Sequence, residues 1–403
     1  MPPRASVIIP TYNRAALVGR LLGQLTRQSI PVDEFEVVVA DDGSSDDTKA
    51  VVAAYADRLR VDYHYQEDLG FRAGIARNAG ARLATAPVLI FLDAGVNAGP
   101  DLVRAHLAEH ADQEVRRAVA GSAYGFNPDL APPAGLADAL ASEPPEQVLA
   151  RYRDDPVFLD LRHPTLAAVH FDMDRLAAPF TLFFTVNFSI RADDFRAVGG
   201  FDESMVRWGA EDLEIAYRFA RHGLSFRYSR DAWVIESPHD RDVPTRMRDF
   251  TENMALFWRK FPEPAVEMGY ALVASDRFLD WERDYRDLLA WTEQARDVEA
   301  PDIVAAAGER VAVLGAGSAA LPSAAVLFEF DKSLVDSAPP VDGQARYHAI
   351  GLRTPLPDQS VDRVVITARL AGLWPRWGDE LTAEARRIGR HVDFPSIVES
   401  PHE

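Results

Sequence analysis

Short apolar runs alternate with segments of helical spacing over the first hundred residues of the chain. The runs are rich in Val, Ile, Leu and Phe and are bounded by polar turns. Strands that are apolar on both faces are typical of a parallel sheet with helices on each side. The pattern therefore predicts an α/β fold with a Rossmann-like, mostly parallel sheet, which binds its ligand at the carboxyl ends of the strands. The predicted strands are 6–9, 35–40, 61–65 and 87–92, and the predicted helices are 14–28 and 73–84.

The pattern changes in the middle of the chain. Residues 128–176 contain many Pro and Asp residues and have weak periodicity, which predicts an insertion of short helices that forms a lid beside the ligand site. Strand character returns at 180–190, and residues 210–222 have the spacing of an amphipathic helix. We expect the first domain to cover 1–245 and a helical linker to follow at 246–300.

Composition limits the possible partners. The 403 residues include 43 Lys and Arg against 62 Asp and Glu, a net charge of −19, which argues against nucleic acid because phosphate backbones require basic surfaces. The absence of Cys excludes disulfides, thiolate metal sites and cysteine nucleophiles. No apolar run reaches the ~18–20 residues that span a bilayer, and no secretory signal precedes the first predicted strand. We therefore expect a soluble, cytoplasmic protein without a membrane span.

Candidate ligand-binding residues follow the first two strands. Pro10, Tyr12 and Arg14 come at the end of the first strand. Asp41 and Asp42 end the second, so both groups are expected to open into one crevice. A carboxylate accepts the N3–H of uracil more strongly than a neutral side chain does. The alternative for the Asp pair is a helix cap and turn, since Asp-Asp-Gly turns are common.

Two arginines and a further acid follow the next two strands. Arg72 and Arg77 lie around the start of the helix predicted at 73–84. Guanidinium groups and a helix N-terminus suit a diphosphate, although a surface arginine on an Ala-rich helix is the simpler alternative. Asp93 directly follows the strand at 87–92.

Two adjacent acids, Glu211 and Asp212, begin the helix predicted at 210–222 and follow Trp208 closely. Acids beside an indole can hold a sugar hydroxyl and provide its general base. Acids in a first helical turn also stabilise the helix dipole, which explains both residues without any chemistry.

Over about residues 5–242 these motifs resemble, in order and approximate spacing, the inverting family-two glycosyltransferases with the GT-A fold. Galactosyltransferase-like members share the Trp-Gly-x-Glu-Asp pattern found at Trp208–Asp212. The other matching segments are Pro10–Arg14, Asp41–Asp42, Ala76–Gly80, Phe91–Gly95, Asn187–Ile190 and Gly199–Glu203.

The resemblance implies transfer of a sugar from a nucleotide-diphosphate donor, most simply a UDP-sugar, to a soluble saccharide, natural product or peptide. It implies that Asp212 is the general base and that Glu211 binds acceptor hydroxyls beside it. Trp208 would stack on an acceptor ring or on the donor sugar, Asn187 would contact the acceptor, and 128–176 would form an acceptor-side lid. The residues that the resemblance assigns to the donor are Pro10, Tyr12, Arg14, Asp41, Asp42, Arg72 and Arg77.

The family also holds Mg²⁺ or Mn²⁺ with an Asp-x-Asp motif, but Gly95 stands here in the place of the second acid. We predict Asp93 and His239 as the ligands, because the superfamily often supplies a histidine at the position of His239. A loop role for His239 is the alternative. Since Mg²⁺ keeps several waters and needs only one or two carboxylates, weak or absent metal dependence stays open.

A second, small α/β domain is predicted at 301–403. Gly315 and Gly317 follow a predicted strand, and Glu329 and Asp331 end the next one, which resembles the core of S-adenosylmethionine-dependent methyltransferases. A lone Gly-x-Gly is a weak fingerprint, so we expect a degenerate domain rather than a cofactor site. Two other functions stay open: a non-catalytic sugar- or nucleotide-binding scaffold, and a bifunctional glycosyl- and methyltransferase.

Overall fold

The computed structural model describes residues 2–127, 130–238, 243–298, 303–318 and 325–394. The chain divides into two compact units, Met1–Asn253 and Met254–Glu403. The boundary falls within one helix, inside the segment predicted as a helical linker at 246–300. The helices expected to form a separate linker belong, from residue 254 onward, to the second unit.

The first unit is built on a sheet that has eight strands among the described residues. Its spatial order is β3-β2-β1-β4-β7-β6-β8-β5, in which β3, β2, β1 and β4 are mutually parallel and β7 is antiparallel to both of its neighbours. The first two strands are buried along their whole length, as their continuous apolar sequences predict. The strands are β1 (Ala5–Thr11), β2 (Phe35–Asp41), β3 (Val61–Tyr65), β4 (Val88–Leu92), β5 (Val96–Ala98), β6 (Arg117–Tyr124), β7 (Asn187–Arg191) and β8 (Ser225–Glu236).

Helices cover this sheet. The third helix packs closely on β1 and β2 because Gly80 has no side chain: a Cβ there would lie 2.6 Å from Ile8 Cγ2. The helices are α1 (Ala15–Leu25), α2 (Thr48–Ala53), α3 (Ala73–Leu83), α4 (Leu102–Glu109), α5 (Leu136–Ser142), α6 (Pro145–Tyr152), α7 (His163–Ala168), α8 (Ala192–Ala197), α9 (Glu211–Arg221) and α10 (Val243–Lys260).

The segment predicted as a strand at 180–190 is strand only from Asn187 onward, and its first residues form a 3-10 turn, Pro179–Leu182. The aromatic residues at 180–184 resemble a strand in sequence, but their backbone is not paired in the sheet and their rings pack into the core. Phe183 meets Phe188 and Phe226 edge-on, with ring centroids 5.3 and 5.5 Å apart. Burial of these rings, rather than strand pairing, therefore explains the apolar sequence.

The insertion carries the short helices that were predicted, α5 to α7. A buried ion pair between α6 and α7 connects it to the sheet. Arg162 is fully buried, with Nη2 2.6 Å from Asp160 Oδ2, and it donates to the carbonyl of Gly121 at 2.8 Å. Asp160 Oδ2 in turn accepts from the backbone N–H of Ala123 at 2.9 Å. Both backbone partners lie on β6, so this part of the insertion is anchored, and its role as a lid stays a prediction.

The second unit contains a wholly parallel sheet of the order β11-β10-β9-β12-β13, counted over the described residues. Together with the first sheet it confirms the predicted α/β class and the small second α/β domain. Its elements are α11 (Pro264–Ala274), α12 (Trp281–Gln294), β9 (Val311–Leu314), β10 (Val326–Glu329), α13 (Lys332–Ser337), β11 (Ala345–His348), β12 (Val361–Ile366), α14 (Trp374–Ile388) and β13 (Gly389–Asp393).

A buried carboxylate joins α11 to this second sheet. Glu267 accepts from the backbone N–H groups of Ile350, Gly351 and Arg353 at 2.6, 2.8 and 3.0 Å, just after β11. Burial raises the pKa of Glu267 to about 7. Because these contacts hold α11 against the sheet, the helix is an integral part of the second unit. Among the helices of the described segments, none combines the length and apolar character needed to cross a membrane.

Candidate active site

The ends of β1 and β2 meet at one edge of the first sheet, as predicted. Their register pairs Thr11 with Asp41, and Asp42 donates its backbone N–H to the carbonyl of Thr11 at 2.8 Å. Pro10 is buried on β1 beside this edge, and half-buried Arg14 immediately precedes α1. The donor-side candidates of these two strands therefore lie together at one edge of the sheet.

Asp41 is used to build the turn after β2. One carboxylate oxygen accepts from the N–H groups of Gly43 and Ser44 at 3.1 and 2.7 Å, and the other accepts from the Tyr63 hydroxyl at 2.6 Å. The side chain is completely buried. Burial and this hydrogen bond to Asp41 raise the pKa of Tyr63. Asp41 therefore shapes the crevice, and the turn interpretation considered for the pair applies to it.

Asp42 is also buried, and its carboxylate is bound by residues that follow β3. Its Oδ1 accepts from Gln66 Nε2 at 2.6 Å, and its Oδ2 accepts from the backbone N–H of Arg72 at 2.8 Å. The Arg72 guanidinium lies 3.1 Å from the same carboxylate. A carboxylate has about four lone-pair sites, so Asp42 keeps the capacity to accept one more donor. Sequence reasoning missed Gln66, although its place directly after β3 puts it on the same sheet edge.

The loop that carries Gln66 folds over the Asp41–Asp42 turn. The hydroxyl of Tyr12 donates to Asp68 Oδ2 at 2.9 Å, and Tyr12 is 47% exposed. Gly43 has a φ of +98°, and a Cβ there would lie 2.4 Å from the backbone nitrogen of Asp68. Only glycine fits this contact, which places the backbone of Asp68 directly against the turn after β2. The Tyr12 ring stays open to solvent.

Arg77 lies inside a cluster of carboxylates. Its Nη2 is 2.8 Å from Asp93 Oδ1, and its Nη1 is 3.3 Å from Glu211 Oε1. The guanidinium also lies over the ring of Phe201, 5.3 Å from its centroid. Arg77 is only 4% exposed, whereas the Asp93 side chain is 41% exposed. The structure gives Arg77 two carboxylate partners that are distant in sequence, and the diphosphate contact suggested by the sequence stays a prediction.

The start of α9 concentrates negative charge. Glu211 is buried, and its Oε2 has no hydrogen-bond partner in the described part of the chain. Burial and the neighbouring Glu211 charge raise the pKa of Asp212 to about 8, against the opposing effects of the Leu213 N–H and of Arg77. A general base works best when its pKa is close to the working pH. Asp212 is thus suited to accept a proton near neutral pH.

Trp208 stands directly before this helix and is half-buried. Its ring meets Phe250 edge-on, with centroids 6.0 Å apart, and the Arg246 guanidinium lies 5.2 Å from its centroid. An indole that keeps part of its surface exposed beside two acids can stack on a sugar ring. Trp208 thus lies three residues before Glu211, on the turn that leads into α9.

Asn187 has a different environment from the one predicted. It is fully buried on β7, its Nδ2 donates to the carbonyls of Ser122 and Ala232 at 3.2 and 2.8 Å, and its Oδ1 lies 2.8 Å from His106 Nε2. Burial lowers the pKa of His106 to about 4 and that of His110 to about 3, so both are neutral. These bonds connect Asn187 on β7 to β6 and β8, and its contact with an acceptor stays a prediction.

Of the two predicted metal ligands, only Asp93 lies in the part of the chain that the structure describes. Asp93 lies at the end of β4, partly exposed, while His239 falls outside the described residues. A Cβ at Gly95 would have open space around it, with nothing within 4 Å. Within the described ranges no group of three or more His, Asp or Glu side chains could hold a metal ion. This donor set still fits Mg²⁺ or Mn²⁺ bound largely through a substrate diphosphate and water.

Comparison with known proteins places these residues in context. The family profile described as "Glycosyl transferase family 2" matches residues 6–166, and the one described as "N-terminal domain of galactosyltransferase" matches residues 162–238. Validoxylamine A glucosyltransferase from Streptomyces hygroscopicus subsp. jinggangensis is 42% identical over 412 residues, which cover 98% of this chain and 97% of that protein. The protein of the same name from subsp. limoneus is also 42% identical, over 98% of this chain and 91% of its own.

One solved structure similar to this chain is the crystal structure of S. aureus TarS in complex with UDP-GlcNAc. It has a TM-score of 0.46 and 18% sequence identity, and the match covers 73% of this chain and 82% of that one.

Proposed function

Because this chain belongs to glycosyl transferase family 2 and is therefore a glycosyltransferase with a nucleotide-sugar donor, we propose that it transfers a hexose from a UDP-sugar, with inversion, to a soluble small-molecule acceptor. The relatives named validoxylamine A glucosyltransferase, which match over 98% of the chain, support glucose as the sugar and a polyhydroxylated small molecule as the acceptor. Membership of an enzyme family also removes the non-catalytic scaffold from the alternatives.

One observation supports this proposal above the others: a single buried guanidinium connects the two halves of the site. Arg77 contacts Asp93, which follows the donor-side strand β4, and Glu211, which precedes the proposed base on α9. The end of β4 at Asp93 and the acids at the start of α9 are thus held at a fixed spacing. Such spacing allows two substrates to be held for direct reaction.

The chemistry follows from the acids. The acceptor hydroxyl gives its proton to the Asp212 carboxylate while its oxygen forms a bond to the anomeric carbon of the sugar. The bond between that carbon and the diphosphate oxygen breaks, and UDP leaves. Attack on the face opposite the leaving group inverts the anomeric centre, so no covalent sugar–enzyme intermediate is formed. Glu211 accepts hydrogen bonds from neighbouring acceptor hydroxyls through its unpaired Oε2.

Replacement of Asp42 with Ala tests the donor side. We expect the dissociation constant for UDP to rise about ten- to a hundredfold, since hydrogen bonds to charged groups contribute roughly 1.5–3 kcal/mol. Isothermal titration with UDP measures this. Asp62→Ala, at an exposed position on β3, is the matched control and should bind UDP as the wild type does. Unchanged UDP affinity in a folded Asp42→Ala variant would remove this residue from the donor site.

We propose that Asp93 and His239 together hold a divalent cation, which when bound would offset charge on the leaving diphosphate. Imidazole is a softer ligand than carboxylate, so activity should be higher with Mn²⁺ than with Mg²⁺, and His239→Ala should abolish that preference. His222→Ala, at the far end of α9, is the control. Initial rates with each metal and with excess chelator measure the effect, and full activity in chelator would contradict it.

We propose that the second unit does not transfer methyl groups, which would leave the bifunctional alternative without support. The acid at the end of β10, Glu329, is completely buried, and it pairs with Arg369 through contacts of 3.0 and 3.1 Å. It also accepts from the N–H of Gly317 at 2.6 Å. Sheets of this type use such an acid to bind a ribose, and here that acid is already fully satisfied. Titration with S-adenosylmethionine should show no binding, and methyl transfer to any acceptor would overturn the proposal.

A further inference from the structure

The segment that carries Trp208 is held by one buried amide on a different element. Asn253 lies on α10, is completely buried, and points its Nδ2 at two backbone carbonyls. It donates to the carbonyl of Arg207 at 3.0 Å and to the carbonyl of Gly209 at 2.6 Å. These are the peptide groups on either side of Trp208. Carbonyls only accept hydrogen bonds, so the contacts require the NH₂ end of the amide and fix its orientation.

The backbone that follows Trp208 has an unusual conformation. Gly209 has a φ of +88° and Ala210 a φ of +66°, so two successive residues are left-handed directly before Glu211. For alanine this conformation costs roughly 1–2 kcal/mol, and it persists only where the surrounding structure imposes it. A Cβ at Gly209 would lie 3.0 Å from the ring of Phe250. Two residues of α10 therefore fix the turn: Phe250 packs against it, and Asn253 donates hydrogen bonds to it.

The same helix also contacts the flanking side chains. Phe250 and Arg246 pack against the Trp208 ring, and Arg207 Nε lies 2.7 Å from Glu252 Oε2. The ion pair is exposed and contributes only about 0–1 kcal/mol, so it does not account for the fixed turn. Asn253 is the buried polar group that bonds directly to this backbone.

We propose that Asn253 is a positioning residue for the acceptor side of the reaction. It sets the backbone at 207–210 so that the Trp208 ring and the Asp212 carboxylate face the same acceptor, although Asn253 itself touches no substrate. The inference rests on the proposed function, because it assigns Trp208 and Asp212 to the acceptor. It adds a residue that lies outside every motif noted in the sequence.

Two variants test it. Asn253→Leu keeps the approximate size and removes both donors without adding charge. The matched control is Gln28→Leu, which removes a buried amide that donates to the carbonyl of Gly99 at 2.8 Å and accepts from the N–H of Val103 at 3.0 Å. We expect Asn253→Leu to lower kcat/KM for the acceptor at least tenfold, mainly through a higher acceptor KM, and to shift the pH profile of kcat. UDP affinity should stay unchanged. Gln28→Leu should lower the melting temperature to a similar extent and leave the acceptor kinetics and the pH profile unchanged.

A second measurement does not depend on activity. Trypsin cleaves after arginine, and Arg207 is exposed at the edge of the held turn. Release of the turn in Asn253→Leu should speed cleavage after Arg207, measured by mass spectrometry of the fragments, while Gln28→Leu should not. The inference is wrong if the wild type transfers sugar and Asn253→Leu differs from it by less than twofold in both the rate of cleavage after Arg207 and the acceptor KM. If the wild type transfers no sugar but Asn253→Leu is cleaved faster, the proposed function is wrong, whereas the role of Asn253 in holding the turn at 207–210 is supported.

Discussion

Replacement of Asp212 with Asn is expected to lower kcat by roughly 10²–10⁴-fold, equivalent to roughly 3–5 kcal/mol of barrier, because the amide cannot accept the acceptor proton. Burial already favours the neutral form of this side chain, and Asn resembles the protonated acid in shape and charge. The fold and the UDP affinity should therefore be retained. Steady-state kinetics give kcat, and titration with UDP shows whether donor binding is unchanged.

Two comparisons separate a base from a helix-dipole partner. Glu211→Gln should raise the acceptor KM more than it lowers kcat, because this residue is assigned to binding. Asp193→Asn places the same substitution in the first turn of α8, where the acid is exposed, and should change stability by only about 0.3–1 kcal/mol without affecting the rate. A kcat of Asp212→Asn close to that of the wild type would end the proposed mechanism.

The pH dependence of the wild type follows from the same residue. Asp212 must be ionised to accept a proton, and its pKa is raised to about 8. The rate should therefore increase as the pH rises through about 8 and fall at lower pH, where the carboxyl is protonated. The Asp212→Asn variant should lose this limb of the kcat profile. A wild-type rate that does not change between about pH 6 and 9 would show that a different group accepts the proton.

Replacement of Arg77 with Met is expected to give the largest loss of stability together with a change in the reaction. Removing one partner of a buried ion pair costs roughly 3–5 kcal/mol, and we expect the lower end of that range because the Asp93 side chain is 41% exposed. The guanidinium also lowers the pKa of Asp212, so its removal should move the rising limb of the kcat profile to higher pH. Urea unfolding measures the first effect, and rates across pH measure the second.

The matched control for this change lies one and a half turns further along the same helix. Arg82 pairs with Glu203 at 3.4 Å, and the two side chains are 64% and 51% exposed. Arg82→Met should therefore change the free energy of unfolding by about 0–1 kcal/mol and leave the pH profile in place. Equal effects of the two substitutions would mean that Arg77 has no special role at the site.

The parts of the fold that the sequence predicted are those decided by neighbours along the chain. β1, β2 and β4 are continuous apolar runs because both of their faces are covered, and such runs are visible in any window of six residues. The meeting of Thr11 and Asp41 followed from the rule that parallel strands end at the same edge. In the second unit β11 and β13 escaped prediction because they are short edge strands with mixed polar sequence.

The partners of the site residues could not be predicted, because they depend on contacts distant in sequence. Arg77 meets Glu211 across 134 residues, and Asn78 binds the carbonyl of Phe201 across 123. The sequence placed Arg77 at a helix start, where a diphosphate was the simplest ligand. Asn187 lies in a sequence motif, but its side chain forms hydrogen bonds within the sheet. No periodicity in the sequence distinguishes a residue that contacts a ligand from one that connects strands.

The anchoring of the insertion has a consequence for engineering. The part of it that carries α5 and α6 begins and ends at adjacent points: Gly125 donates its N–H to the carbonyl of Phe158 at 2.7 Å, and Leu161 donates its N–H to the carbonyl of Phe126 at 3.0 Å. A segment with joined ends can be exchanged as a cassette, since doubling a loop costs only about 0.6 kcal/mol in closure entropy. A donated cassette must cover Ile235, which packs beneath α5 and α6. On the prediction that the insertion forms an acceptor-side lid, grafts cut at this stem would give transferases with new acceptor ranges on an unchanged first sheet.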